Sequence, residues 1–204
     1  MTAARVHLLF VAALLALLPA CRLSRPAPDI VQWSLDPGPP PAVSAKPLPG
    51  VLLVRTFESN GLTSRPGFVT REAGGAIRRD FFNEFSEPPP VLLANLFARD
   101  LAAARAAQQV ARPGSRLEQD WEIEGSVEAL EVGRAVPGQP RARLALEIRL
   151  ILVDHSGRKV RETIRFDASE PLADTRPATA VAAWNRLLRR ALDQTFAAIG
   201  QAAR

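Results

Sequence analysis

The chain contains a single cysteine, Cys21, which stands directly behind an apolar run in Leu17-Leu18-Pro19-Ala20-Cys21. A chain with one thiol can close no internal disulfide, so whatever folds here folds by packing alone. Arg5 is the only early basic side chain, Leu8 to Leu18 form the apolar run, and the small residue Ala20 precedes the cysteine. That succession of charged, apolar and small residues is the order of a secretory signal. The run is about half the ~20 residues that a membrane-crossing helix needs, which argues against a transmembrane anchor. A signal peptide over residues 1–20, cleaved between Ala20 and Cys21, is therefore expected. Leu18-Pro19-Ala20-Cys21 also resembles a bacterial lipobox, in which the thiol is acylated and the new amino terminus begins at the cysteine. The mature chain is then expected to hold a lipid bilayer through acylated Cys21. An ordinary signal peptide with an incidental cysteine is the alternative.

Of the 204 residues, 184 remain once residues 1–20 are removed, enough for one domain with a real core and a tether. Acylation would consume Cys21, and of the two histidines His7 lies in the signal, leaving only His155. A domain so poor in thiol and imidazole has few ways to build a zinc centre or an acyl-transfer site, so neither metal nor cofactor is expected. The net charge is +5, with 24 arginines against two lysines, but the basic residues are interleaved with acids and form no long run. A solvated, mildly basic surface follows, and nucleic acid is not an expected partner.

Residues 22–50 hold eight of the eighteen prolines. Proline fixes φ and removes a backbone donor, so this stretch reads as an extended tether. The apolar knot Ile30-Val31-Gln32-Trp33-Ser34-Leu35 interrupts it and is suited to an edge strand or to packing on the domain. Three units are expected: the signal at 1–20, a lipidated tether at 21–50 and a folded domain at 51–204. Val51-Leu52-Leu53-Val54 suits a strand buried on both faces. Ala73-Gly74-Gly75 joins Phe68–Arg71 to Ile77–Phe85 as a hairpin. After Pro88-Pro89-Pro90, the spacing of Leu92, Leu93, Leu96, Phe97, Leu101 and Ala104 predicts a helix ended by Arg112-Pro113-Gly114.

Three strands with one charged side follow. Trp121, Ile123, Val127 and Ala129 alternate with Glu122, Glu124, Ser126 and Glu128; Leu144 to Leu152 alternate with Arg143, Glu147 and Arg149; Val160, Ile164 and Phe166 alternate with Arg161, Thr163 and Arg165. A period of two predicts an antiparallel sheet with a wet face, turning near Pro137-Gly138 and His155-Ser156-Gly157. A last helix is expected from Asp174-Thr175-Arg176-Pro177, with Val181, Trp184, Leu188, Leu192, Phe196 and Ile199 as its buried stripe.

No catalytic residue is assigned. Glu122, Glu124 and Glu128 are expected to face arginines such as Arg143, Arg149 and Arg165 across the ladder, which makes them surface stabilisers rather than general acids. That polar face also suits a protein interface. Asp154, His155 and Ser156 share one tight turn and cannot converge on a substrate atom as a triad does. Gly74-Gly75 lacks the pattern of a phosphate loop.

Four stretches resemble the ABC-type transport auxiliary lipoproteins, the PqiC-type components of MCE lipid-transport systems. They are Gln32-Trp33-Ser34-Leu35-Asp36-Pro37, the block Gly61-Leu62-Thr63-Ser64-Arg65-Pro66 with Phe68-Val69-Thr70-Arg71, the strand Ile77 to Phe85 with Glu87-Pro88-Pro89, and Asp120-Trp121-Glu122-Ile123-Glu124-Gly125. The resemblance implies an α/β domain with helices packed on a mixed sheet, here expected to be largely antiparallel. It also implies a non-catalytic role beside an MCE-domain protein and ABC transporter subunits that move phospholipid or other hydrophobic substrates between envelope membranes. Arg22, following the cysteine where an aspartate would retain the protein at the inner membrane, favours the periplasmic face of the outer membrane. A stand-alone envelope lipoprotein that binds peptidoglycan or assists outer-membrane assembly is the competing reading. Whether the chain forms a homo-oligomer is left open.

Overall fold

The computed structural model describes residues 28–40, 46–134 and 140–204. The expected signal at 1–20, the lipidation and sorting residues Cys21 and Arg22, and the Pro137-Gly138 turn lie outside them. The described residues form one mixed sheet of nine strands with two helices. In chain order these are β1 (Val31–Trp33), β2 (Leu48–Val54), β3 (Glu58–Ser59), β4 (Gly67–Arg71), β5 (Ile77–Phe85), α1 (Pro89–Ala103), β6 (Ala107–Ala111), β7 (Trp121–Gly133), β8 (Arg141–Asp154), β9 (Gly157–Pro171) and α2 (Pro177–Ala202). The α/β class and its mixed sheet are as expected. Long antiparallel ladders join β7, β8 and β9, while β7 takes β2, β3 and β4 in turn as short parallel partners along its other edge. The β4–β5 hairpin is antiparallel, and Gly75 supplies the positive φ its turn requires.

Alternation explains which side of each strand is apolar. Ile123, Val127, Leu144, Leu146, Ile148 and Phe166 point to one face, where they meet the stripes of both helices in a single core. Burying one such aliphatic side chain is worth about 1.5–3 kcal/mol, and all six stripe residues expected on α2 are buried. Both helices open on proline at the first turn, where the missing N–H goes unmissed. Asp100 of α1, itself buried, accepts from Arg189 of α2 at 3.0 Å and ties the two helices together.

Several expectations change. The first helix ends at Ala103 rather than at Arg112, because Arg105 takes a left-handed φ of 52° and residues 107–111 leave to pair with β2. The apolar knot does add the edge strand expected of it, Val31–Trp33 pairing in parallel with Asn83–Phe85 and Leu35 packing into the core, while β2 begins at Leu48, ahead of the domain start expected at residue 51. Register shifts alter two strand faces. At Glu128 the ladder slips, so Ala129 faces Ala145 on the outer side and Leu130 resumes the core side opposite Leu144. A second shift beside Arg161 sends Val160 outward, where it is exposed.

Candidate functional site

The sheet face away from the helices carries an alternating chain of guanidinium and carboxylate groups. Arg55, Glu122, Arg158, Glu124, Arg149, Glu147 and Arg165 follow one another in contact. A second chain runs from Arg71 through Glu131 and Arg143 to Asp167. Of the expected pairings, Glu124 does face Arg149. Arg143 instead meets Glu131 and Asp167, and Arg165 meets Glu147. Glu128 is the bulge residue, exposed and without an ion pair among the described residues.

The face is also drier than its charges suggest. Glu122 is 0 % exposed, roofed by Arg55 and Arg158, and it accepts from Gln119 Nε2 at 2.7 Å. Burial pushes its carboxyl up, but the hydrogen bonds from Arg55 and Arg158 outweigh that and hold it below its ordinary value. A carboxyl kept ionised has no proton to give at neutral pH, and one with both oxygens engaged is a poor base. Asp154 accepts the hydroxyl and the backbone N–H of Ser156, and these bonds hold its carboxyl below the usual range. His155 is exposed beside an open hollow and takes no part in those bonds, so the turn assembles no triad. Among the described residues no three His, Cys, Asp or Glu side chains are grouped as a metal would need.

The most unusual surface lies at the β1–β5 edge. Of seven exposed large apolar side chains among the described residues, five fall there: Ile30, Val31, Ile77, Phe81 and Phe82. Their exposure has a structural cause. β4 advances from Gly67 to Val69 while β5 advances from Glu84 back to Arg79, so residues 80–83 bulge out of the ladder. The Asp80 carboxylate accepts the N–H groups of Phe82 at 2.8 Å and Asn83 at 3.1 Å, and the Asn83 side-chain amide at 2.9 Å. This is an Asx turn set inside a strand. Arg79 clamps the base by donating to the carbonyls of Leu62, Arg65 and Gly67. Gly67 is required underneath, since a Cβ there would stand 2.5 Å from the Asp80 carbonyl oxygen. Trp33 Nε1 donates to Asn83 Oδ1 at 3.0 Å and pins β1 alongside. Phe81 is left 67 % exposed and Phe82 47 %. Sequence pattern alone makes Ile77–Phe85 an unbroken strand and misses this protrusion. The signal for it is Asp80 and Asn83, two turn-forming residues inside a strand pattern.

The stretches quoted for the family resemblance prove to be joints. Asp36 N–H donates to Asn185 of α2, and buried Thr63 donates to the Val127 carbonyl at 3.0 Å. Asp120 accepts the Val51 N–H at 2.8 Å, and Gly125 leaves room for the Phe57 ring, whose atoms would lie 2.7 Å from a Cβ.

This architecture occurs elsewhere. Protein XCC0632 of Xanthomonas campestris superposes with a TM-score of 0.72 at 17% identity, covering 84% of this chain and 97% of that one. Hypothetical protein CT253 of Chlamydia trachomatis superposes with a TM-score of 0.54 at 10% identity, over 74% of this chain and 98% of that one. At such identities the likeness is one of fold. No curated protein matches the sequence. The family model for the ABC-type transport auxiliary lipoprotein component matches residues 33–195, from the Trp33 strap to the last turns of α2, and the chain belongs to that family.

Proposed function

We propose that this protein is a non-catalytic, lipid-anchored subunit of an ABC/MCE-type system that moves phospholipid or another hydrophobic substrate across the periplasm. It is held at the periplasmic face of the outer membrane by acylated Cys21, with an MCE-domain protein and the transporter's ATPase and permease as its partners. The observation that carries the reading is the family match over residues 33–195. The lipobox Leu18-Pro19-Ala20-Cys21 and Arg22 behind it support the anchor and its destination. Glu122, Glu124, Glu131, Glu147 and Asp167 on the open sheet face support the non-catalytic role, because their charges are spent on arginines.

The test is affinity purification of the tagged chain from detergent-extracted membranes, beside a Cys21→Ser control. The expected result is co-purification of an MCE-domain protein and ABC subunits with the native chain, and an outer-membrane fraction depleted of the Cys21→Ser chain. Recovery of the native chain without any of those partners refutes the transport role. Equal outer-membrane retention of both chains refutes the anchor.

A further inference from the structure

We propose that the Phe81–Phe82 protrusion is a bilayer contact, which dips into the headgroup region of the leaflet carrying the Cys21 anchor and fixes how the domain stands on it. The proposal rests on the anchor reading above. The protrusion is constructed: an Asx turn, an arginine clamp and an obligatory glycine hold two phenyl rings out in water. Clustered exposed apolar side chains mark a surface that another apolar phase covers.

Three observations select the membrane as that phase. The chain enters the described region at this edge, with Ile30 nine residues past Cys21. Covalent geometry limits nine extended residues to about 30 Å, so an acylated Cys21 keeps this edge within that distance of the leaflet. Unspent positive charge borders the rings. The hollow they share with Arg78, Arg79 and Arg134 holds only two carboxylates, Asp80 and Glu72, and Arg78 and Arg134 share Glu72 at 3.6 and 3.8 Å. Guanidinium groups placed so can hydrogen-bond lipid phosphates while the rings sit among the first acyl carbons. Finally, the edge is poorly suited to adding a strand from a second copy. β1 is three residues long and lies between Pro28 and Pro37, and prolines and shortness both block edge-to-edge pairing.

The test uses the full acylated chain reconstituted into vesicles of phosphatidylethanolamine and phosphatidylglycerol, with bromine on the acyl chains of one lipid set. Phe81→Trp reports on the protrusion and Val160→Trp, also exposed but on β9, reports on a surface away from it. The native chain, with its own three tryptophans, supplies the emission to subtract from each variant. Because an interfacial aromatic lies ~5–10 Å deep, the emission added by Phe81→Trp is expected to be blue-shifted and quenched at least about two-fold more than that added by Val160→Trp. Solvent-like emission without extra quenching overturns the proposal. So does a blue shift that bromine leaves untouched, which would place a second copy or another protein over the rings. The mass of the same preparation reads acylation separately. If Cys21 proves bare, the anchor fails on its own, and flotation of that unacylated chain with the vesicles decides the contact. Flotation lost in the Phe81→Ser/Phe82→Ser double variant supports it, and flotation that is absent or unchanged by the double variant refutes it.

Discussion

Replacing Glu122 with glutamine keeps the shape of the side chain and removes its charge, which isolates what the buried carboxylate contributes. In the native chain Glu122 accepts from Arg55, Arg158 and Gln119. Two charge-assisted bonds would be worth about 1.5–3 kcal/mol each if fully dry. Arg55 and Arg158 are 44% and 48% exposed, so solvent screens them and recovers their hydration when the partner is lost. Roughly halving the sum leaves about 2 kcal/mol at neutral pH. With a urea dependence of about 2 kcal/mol per molar, the midpoint should fall by ~1 M. Unfolding can be followed by the fluorescence of Trp121 and Trp184, both buried.

The sign of the pH dependence is fixed by the depressed carboxyl of Glu122. Its contribution is fully present above the ordinary glutamate value of about 4.3 and is lost as pH falls through the lower folded-state value. The gap between native and Glu122→Gln chains should therefore be constant at neutral pH and close in acid. A gap below about 0.5 kcal/mol at neutral pH would put the pair in the range of surface ion pairs and refute the reasoning. A gap that persists undiminished in strong acid would show that shape, not charge, is responsible.

Gly125→Ala should cost about 1–3 kcal/mol, because its Cβ meets the Phe57 ring and that ring is backed by Phe97; thermal unfolding reads it, and Phe57→Leu in the same chain should restore part of the loss. Arg105→Gly should raise stability by about 0.5–1 kcal/mol, since only glycine takes the left-handed φ at that helix end without strain, and an unchanged melting temperature would argue against it. Asp174, bonded by Arg176, should titrate at about 2 in carbon-detected NMR; Arg176→Ala should return it toward the ordinary ~3.9, and the stabilisation from this contact should fade only as pH drops through the folded-state value. Trp33→Leu should free β1 alone: amide exchange at residues 31–33 should rise by about ten-fold or more while Ile123 in β7 stays protected, and equal loss at both places would contradict a local strap.

Period and punctuation make the long elements legible. The alternation through β8 and the apolar stripe of α2 identify their inward residues because one face of each meets a continuous core. What is not legible depends on partners distant in sequence. Residues 104–111 read as more helix because alanine favours it, and only pairing with β2 makes a strand of Ala107–Ala111. Glu122 reads as a wet-face acid, since nothing local says that Leu53 runs beside it or that Arg55 and Arg158 will close over it. The bulges at Glu128 and Arg161 reverse the faces of Ala129 and Val160, because a single inserted residue shifts a period of two.

The packing of β1 has a mechanical consequence for the protrusion. Trp33 packs on Phe68 with ring centroids 6.3 Å apart, Phe68 on Phe85 at 4.5 Å, and Trp184 of α2 lies against both at 5.0 and 5.4 Å. Each aromatic pair adds about 0.5–1.5 kcal/mol beyond the area it buries. The cluster therefore joins β1 to β4, β5 and α2. Asp36, bonded to Asn185 and to Arg99 at 3.3 Å, adds a second tie to both helices. A pull applied at the amino-terminal end of β1 therefore reaches the body of the domain instead of peeling off a loose end. The edge so fixed is the one that carries Phe81 and Phe82, so the protrusion is backed by the same aromatic cluster that holds β1 to the sheet and to α2.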